Sequence, residues 1–315
     1  MGNAAKRHDY FRWQCGQLRD VDPNELGDLY IPAGVRSKLR LLVKTAAADR
    51  IGGEMIRVIL TAAACLALFT GMSWAGRASA ADNITTAEAI GFSQSGLPLM
   101  LYRLGGGPRT VLLLGAQHGG PEANTYRLVQ ALLEHYQSSP AEIPASVSLA
   151  ILPAANPDGL AAGTRRFLSG VDPNRNWGGP GWEPDGWDSN GRFEAGLGGP
   201  EPFSEQETRA LASWIMGNRP ALVINYHSAG GFMFGGRAGS GAELADAYEY
   251  ASGYYRPQPV SGQRVLSYRV TGSMNGWLGE QGIAGMLIEL TTPWDSEFGR
   301  NLAGLQAALA VLDRA

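Results

Sequence analysis

The chain has 315 residues, of which 44% are hydrophobic, and this is enough to bury a sizeable core in one to three domains. Its formal net charge of −3 is unevenly distributed, because residues 81–315 carry 15 Lys and Arg against 22 Asp and Glu. This acidic stretch has no basic stripe, which argues against nucleic acid as a partner. Both cysteines, Cys15 and Cys65, precede residue 81, so a disulfide framework and a cysteine-ligated metal are excluded from the remainder.

Residues 55–80 have the pattern of a secretory signal peptide. An arginine near the start precedes a short apolar run, and an A-x-A cleavage site ends at Ala80. We therefore predict export to the periplasm or the medium, with no stable membrane insertion after cleavage. The alternative is an uncleaved anchor, for which the apolar run is short. Residues 1–54 carry no usable motif and stay unassigned; the favoured interpretation is that translation starts at Met55.

Apolar runs typical of buried strands alternate with segments of helical spacing through residues 81–315. We expect strands at 109–114, 147–152, 221–226 and 286–290, and helices at 123–136, 204–216 and 301–313. Ser204 and Glu207 have the spacing of a capping box at the start of the second helix. The alternation predicts one α/β domain, with a mixed, mostly parallel sheet covered by helices on both faces. Residues 178–202 are rich in Gly, Pro and Trp, and we expect a long loop that shapes a cleft.

Polar residues stand at the ends of three predicted strands. His118 and Glu122 follow the first strand at the mouth of a helix, and His227 directly follows the third. Ligands bind beyond the carboxyl ends of strands in open α/β sheets. Two histidines and one carboxylate form a common catalytic zinc set that leaves a fourth position open. Zinc lowers the pKa of water from about 16 to about 7, and a further carboxylate such as Glu289 can act as general base.

Each of these residues alone also has an ordinary structural explanation. His118 could be a hydrogen-bonded residue at a strand end, and Glu122 could favour the positive end of its helix. Glu289 is harder to explain in this way, since burying an unpaired carboxylate costs several kcal/mol. His135 is expected on the surface, and His8 has no assigned role.

As a set, these residues resemble the zinc carboxypeptidase family (carboxypeptidase A-like) and stand in the family's order. The resemblance implies a carboxypeptidase-like fold and one zinc ion per chain, held by His118, Glu122 and His227. It also implies that Glu289 is the general base. In the string GTRRF, Arg165 matches the arginine that polarises the scissile carbonyl and stabilises the oxyanion, with the neighbouring Arg166 as the alternative.

The string VDPNRNW is the most specific part of the resemblance. Its Asn174 and Arg175 match the pair that grips the substrate's terminal carboxylate, and arginine presents a planar fork suited to a carboxylate. Without the family context these residues would be interpreted as a surface salt-bridge cluster. Tyr268 matches the mobile tyrosine that closes over the substrate. Asn275 occupies the position that helps select the substrate's last side chain, where a neutral polar group indicates neither a hydrophobic pocket nor a carboxylate that selects Lys or Arg.

The spacing between the first two predicted ligands departs from the family. His118 and Glu122 are separated by three residues, whereas the family's motif is H-x-x-E. Gly119 and Gly120 give the backbone latitude to loop out one residue and still bring both side chains to one ion.

The predicted function is zinc-dependent hydrolysis of an amide bond next to a free carboxylate, in scavenged peptides or cell-wall stem peptides outside the cytoplasm. One alternative is a zinc amidohydrolase that acts on N-acyl amino acids. The other is a non-catalytic module that binds a peptide or carboxylate. The match at VDPNRNW favours the peptidase, and Glu289 argues against the binding module, which does not need a general base.

Overall fold

A computed structural model of the protein describes residues 85–179, 181–236, 240–257, 266 and 268–314. The predicted signal peptide, residues 55–80, and the unassigned residues 1–54 lie outside this part of the chain. Within it, no helix has the length and apolar character needed to span a membrane.

The secondary structure alternates over most of this length. The strands are β1 (Thr86–Phe92), β2 (Pro98–Leu104), β3 (Arg109–Leu114), β4 (Val147–Leu152), β5 (Gly186–Trp187), β6 (Phe193–Glu194), β7 (Leu222–Ser228), β8 (Met233–Phe234) and β9 (Gly285–Leu290). The α-helices are α1 (Ala123–Ser138), α2 (Pro157–Ala162), α3 (Gln206–Asn218), α4 (Ser240–Ser252), α5 (Met274–Glu280) and α6 (Phe298–Arg314).

Seven of the strands form one mixed sheet in the order β1-β2-β4-β3-β7-β9-β8. The central strands β4, β3, β7 and β9 are parallel to one another, whereas β1, β2 and β8 run antiparallel to their neighbours. The predicted mixed α/β sheet is confirmed, and its parallel part is the centre. Strands β5 and β6 form a separate two-stranded antiparallel ribbon.

Helices cover both faces of the sheet, as predicted, and each face has its own hydrophobic core. Helices α1, α4 and α6 bury Leu128, Tyr248 and Leu305 on one face. Helices α3 and α5 bury Leu211 and Leu278 on the other. Because both faces are covered, the central strands are buried along almost their whole length, and they are continuous apolar runs rather than alternating ones.

The predicted capping box at the start of the second long helix is wrong. Helix α3 begins two residues after Ser204, with Glu205 at its N-cap and no side-chain hydrogen bond to the helix end. The reason is that both predicted cap residues have other partners. The Ser204 hydroxyl donates to Glu205 Oε1 (3.0 Å), and Glu207 Oε1 accepts from the backbone N–H of Gln94 (2.9 Å).

The sheet order brings the candidate site together. Strands β3, β7 and β9 are neighbours and parallel, so their carboxyl ends lie at the same edge of the sheet. His118 follows β3, while His227 and Glu289 lie near the ends of β7 and β9 and are paired with each other in register. Residues far apart in sequence therefore meet at one edge.

Candidate metal centre

The three predicted metal ligands converge. His118, Glu122 and His227 are buried, and one potential ligand atom from each lies within 4.8 Å of the other two. Nδ1 of His118 is 2.9 Å from Glu122 Oε1, and Nδ1 of His227 is 3.0 Å from Glu122 Oε2. Both rings thus present the same nitrogen to one carboxylate, an arrangement suited to a single ion.

A tight turn absorbs the additional residue between His118 and Glu122. Gly120 to Glu122 form a single 3-10 turn, and Gly120 has a φ of 54°, in the left-handed region that favours glycine. A Cβ atom at Gly119 would lie 2.2 Å from the carbonyl carbon of Gly159 in α2. The turn therefore packs backbone against backbone on α2, and only glycine permits this approach.

Asp172, which the sequence reasoning missed, orients His118. Its Oδ1 atom is 2.9 Å from His118 Nε2, and both side chains are buried. A carboxylate can only accept, so the proton of a neutral ring lies on Nε2 and the lone pair of Nδ1 faces Glu122. That Nδ1 atom is buried and has no hydrogen-bond partner in the part of the chain that the structure describes. A buried ring nitrogen with no hydrogen-bond partner, beside a carboxylate and a second imidazole, fits a cation such as zinc.

Charge pairing keeps the carboxylates of this cluster ionised. The Arg165 guanidinium contacts Glu122 Oε1 through Nη1 and donates from Nε to Asp172 Oδ2 at 3.0 Å. Burial raises the pKa of both carboxyls, but their electrostatic and hydrogen-bonding partners outweigh it. The pKa of Glu122 is held well below its usual range by His118 and His227, and that of Asp172 by Arg165 and His118. Both are therefore anionic at neutral pH, as a metal ligand and its supporting partner require.

Glu289 differs from these carboxylates because no donor neutralises it. Among the described residues no hydrogen bond to its side chain is present, and burial together with the charge of Glu122 raises its pKa to about 7. His118 and Arg165 oppose this rise only in part. A carboxyl that titrates near neutral pH beside a candidate metal centre has the acid–base properties of a general base.

Asn174 and Arg175 lie next to this cluster and are held by backbone groups. Arg175 is 3% exposed; its Nε and Nη2 donate to the carbonyl of Trp187 in the ribbon (3.3 and 3.0 Å), and its Nη1 donates to the carbonyl of Asn174 (2.9 Å). The side-chain oxygen of Asn174 accepts from the backbone N–H of Met274 at 2.9 Å. The ribbon of β5 and β6 and helix α5 thus fix the two residues that the sequence assigns to substrate binding.

Tyr268 and Asn275 contact different elements of the fold. Tyr268 is half-buried, and its Cδ1 is 4.0 Å from where a Cβ of Gly191, at the tip of the ribbon, would stand. Asn275 is in the first turn of α5, and its Cγ is 3.7 Å from the Cβ position of Gly285 on β9. Its Oδ1 atom is buried and has no hydrogen-bond partner within the described ranges. An acceptor left in this state costs about 1–3 kcal/mol, which a donor on a ligand would offset.

The family follows from comparison of the whole sequence. The sequence model described as zinc carboxypeptidase matches residues 71–298. The chain belongs to the zinc carboxypeptidase family. The predicted resemblance is confirmed, and it covers the whole of the site described above.

Relatives of this zinc carboxypeptidase-family protein have different names. Murein peptide amidase A of Escherichia coli K12 is 31% identical over 147 residues, which cover 44% of this chain and 58% of the amidase. Bacteriocin BCN5 of Clostridium perfringens is 30% identical over 230 residues, 66% of this chain and 23% of the bacteriocin. The chain therefore spans only part of the length of either relative.

Solved structures show the same fold. Murein-tripeptide amidase from Escherichia coli O157 superposes with a TM-score of 0.54 at 22% identity, over 73% of this chain and 93% of the amidase. Bovine thrombin-activatable fibrinolysis inhibitor superposes with a TM-score of 0.57 at 18% identity, over 73% of this chain and 89% of that protein. The predicted carboxypeptidase-like architecture is confirmed.

The structure also shows the contacts of two residues that neighbour the predicted site residues in sequence. Arg166, the alternative to Arg165, pairs with Glu194 of the ribbon at 2.7 Å, whereas Arg165 contacts the metal-ligand cluster. His227 Nε2 is 2.9 Å from the side-chain nitrogen of Asn225, a residue the sequence reasoning passed over. The available signal was a polar residue in an otherwise apolar strand, two positions before the histidine and hence on the same face of β7.

Proposed function

We propose that this protein hydrolyses an amide bond next to a free carboxylate in peptide-like substrates, with murein stem peptides as the substrate class. The observation that carries the proposal is the unpartnered Nδ1 of His118 in a buried His-Glu-His cluster, beside Glu289 with its pKa of about 7. Two relatives whose names refer to murein peptides support the substrate class.

The metal is proposed to be one zinc ion per chain, held by His118, Glu122 and His227. Zinc, when bound, supplies a Lewis acid that polarises a carbonyl and lowers the pKa of water. Two imidazoles and one carboxylate are the donor set of catalytic zinc sites, which leave a fourth position open, rather than of structural ones.

The protein's own residues then have distinct proposed roles. Glu289 accepts a proton from the attacking water and delivers it to the departing amine. Arg165 supports the oxyanion that develops at the carbonyl oxygen, because its guanidinium already lies against Glu122, and such a preorganised cation is worth a few kcal/mol of barrier.

The substrate is proposed to be held through its free carboxylate. Arg175 and Asn174 bind that carboxylate, and Tyr268 covers the bound substrate from the side of the ribbon. Asn275 faces the side chain of the departing residue, where its unpartnered Oδ1 favours a side chain that donates a hydrogen bond.

The place of action is proposed to be outside the cytoplasm, in the periplasm or the medium. This rests on the signal-peptide pattern of residues 55–80. Export would bring the protein to the cell wall, where murein stem peptides are found.

The non-catalytic alternative has lost its main support. It rested on the three-residue spacing between His118 and Glu122, yet one potential ligand atom from each of these residues and from His227 lies within 4.8 Å of the other two. The amidohydrolase that acts on N-acyl amino acids remains as the second candidate, since it requires the same metal set and general base.

The test compares three substrates with the zinc-loaded protein: a murein tripeptide, the same tripeptide with its terminal carboxylates amidated, and an N-acetyl amino acid. Amine release is followed by mass spectrometry. We expect cleavage of the free tripeptide, loss of most activity on amidation, and no turnover by a Glu289→Gln variant. Preferential cleavage of the N-acetyl amino acid would support the second candidate. Zinc binding without cleavage of any substrate would support the non-catalytic binding module instead.

A further inference from the structure

A line of buried side chains runs from His227 away from the metal centre. His227 Nε2 is 2.9 Å from Nδ2 of Asn225, which is itself 2.7 Å from Gln117 Oε1. Gln117 Nε2 in turn donates to the carbonyl of Pro173 at 3.2 Å. Asn225 is fully buried and Gln117 is 3% exposed, so neither amide exchanges partners with solvent. His227 is therefore connected through two carboxamides to the loop that carries the VDPNRNW string.

The two histidines differ in the partner behind the ring. His118 has Asp172, which only accepts a hydrogen bond and so leaves Nδ1 without a proton when the ring is neutral. His227 has a carboxamide, which offers a donor and an acceptor. Because an amide nitrogen only donates, Asn225 Nδ2 donates to Nε2, and the proton of a neutral His227 ring then lies on Nδ1, which is 3.0 Å from Glu122 Oε2.

A histidine that ligates through Nδ1 carries its proton on Nε2, and that proton needs an acceptor. Asn225 has such an acceptor in its Oδ1 atom, which is buried and without a hydrogen-bond partner among the residues described. An aspartate at this position could not donate to the bare nitrogen, and an aliphatic residue could serve neither form. The carboxamide suits both forms of His227.

We propose that Asn225, aligned by Gln117, is the positioning residue that holds His227 in place and completes it as a zinc ligand. The proposal rests on the proposed zinc site. The amide nitrogen holds the ring in the metal-free protein, and the amide oxygen accepts the Nε2 proton when Nδ1 binds zinc. The carbonyl of Pro173 also accepts from Trp177 Nε1 at 2.9 Å, so it keeps a partner if the Gln117 amide reorients with Asn225.

The experiment measures the zinc dissociation constant of the full chain by competition with a chromophoric chelator. Asn225→Leu keeps the branched shape of the side chain, with a larger volume and no hydrogen-bonding group, and it should weaken zinc binding by about 10- to 100-fold. Asn225→Asp supplies the acceptor and should bind zinc at least as tightly as the parent. Asn301→Leu is the control: it removes another fully buried amide, hydrogen-bonded to Tyr248 and Tyr254, and should leave zinc binding unchanged.

Thermal unfolding of each protein with and without zinc separates positioning from packing. Asn225→Asp should lower the unfolding temperature of the metal-free form, because the carboxylate cannot donate to His227 and repels Gln117 Oε1. The increase in unfolding temperature on adding zinc should be at least that of the parent. If Asn225→Leu does not fold, the Asp variant alone tests the proposal: an increase in unfolding temperature on adding zinc that is at least that of the parent supports it, and a smaller increase contradicts it.

The outcomes distinguish this inference from the function on which it rests. A parent protein that binds no zinc would overturn the proposed metal site itself. A parent that binds zinc, with Asn225→Leu unchanged in affinity or Asn225→Asp as weak as Asn225→Leu, would overturn only the role of Asn225.

Discussion

The two halves of the candidate metal centre are built differently. His118 and Glu122 lie on a turn after β3 that is held by backbone packing on α2 and by charged partners, Asp172 and Arg165. His227 and Glu289 lie on adjacent parallel strands, where sheet register fixes their separation and a neutral amide supports the histidine. The comparison teaches why an additional residue is tolerated in the first half only. A turn can absorb it, whereas in a strand one residue would reverse every side chain.

The largest effect on activity is expected at Glu289, in the half of the site that lies on strands. Glu289→Gln should lower kcat by about 10²- to 10⁴-fold, because the isosteric amide cannot accept a proton. Zinc affinity should stay at the parent value, since the residue is not one of the three proposed ligands. Steady-state kinetics and metal titration on the same preparation check both parts, and a variant that keeps kcat would remove Glu289 from the mechanism.

Glu289→Gln should also change the stability of the metal-free protein. The pKa of Glu289 is about 7 in the folded protein against an ordinary value of 4.5, so the folded state holds its proton more tightly than the unfolded state. The associated stability is present at low pH and is lost as the pH rises from about 4.5 through 7. Metal-free Glu289→Gln should therefore unfold with a free energy about 3 kcal/mol higher than the parent at pH 8. Denaturant titrations should show this difference closing towards pH 4.5; a difference independent of pH would contradict the raised pKa.

The next largest effect on activity is expected at Arg165, the charged partner of the half of the site that lies on the turn. Replacing it with methionine should reduce kcat/KM by about 10²- to 10³-fold through loss of oxyanion support. Arg166→Met is the matched control, because that guanidinium pairs with Glu194 of the ribbon at 2.7 Å rather than with the candidate metal ligands. Equal losses in both variants would mean that the two arginines act through the loop they share.

A smaller effect on metal binding is expected from the glycine turn. Gly119→Ala forces its Cβ to within 2.2 Å of the Gly159 backbone, so the turn must move, and zinc affinity should fall by about 10- to 100-fold. Gly217→Ala, in α3 with nothing within 4 Å of the added methyl, is the control and should bind zinc like the parent. Unchanged zinc binding in Gly119→Ala would show that the turn has other ways to deliver Glu122.

The smallest effect concerns substrate choice. Asn275→Asp places a carboxylate where the side chain of the departing residue is proposed to lie, and should shift kcat/KM towards peptides ending in lysine by about 10-fold. Zinc affinity should not change, because the side chain lies beside β9 rather than in the ligand cluster. A panel of peptides that differ only in the last residue checks the shift; an unaltered preference would place the specificity pocket elsewhere.

The sequence predicted the parts of the fold that have strong local signals. The strands at 109–114 and 147–152 were predicted with their observed bounds, because runs buried on both sides are continuously apolar. The hairpin of β1 and β2 was missed, since β1 is largely exposed and has no comparable run. The family's order of polar residues at strand ends indicated the three candidate ligands.

The supporting residues could not be predicted in the same way. Asp172 contacts His118 across 54 residues, and no local pattern distinguishes it from an ordinary polar residue in a turn. Asn225 is only two residues from His227, and its one local signal was a polar side chain on the same face of an apolar strand. The capping box failed for a related reason, because tertiary partners recruited both Ser204 and Glu207. Outer contacts of a site depend on three-dimensional packing, which local spacing does not encode.

The ribbon of β5 and β6 has a consequence for how such a protein can be re-engineered or diversified. Its strands are two residues each, and its turn is closed by Asp188, whose side chain accepts from the backbone N–H groups of Asn190 (2.9 Å) and Arg192 (2.8 Å). This small insertion holds Arg175 through the Trp187 carbonyl without joining the main sheet. The proposed grip on a substrate's end therefore depends on a hairpin outside the main sheet, and grafting hairpins of other lengths there offers a route to new substrates.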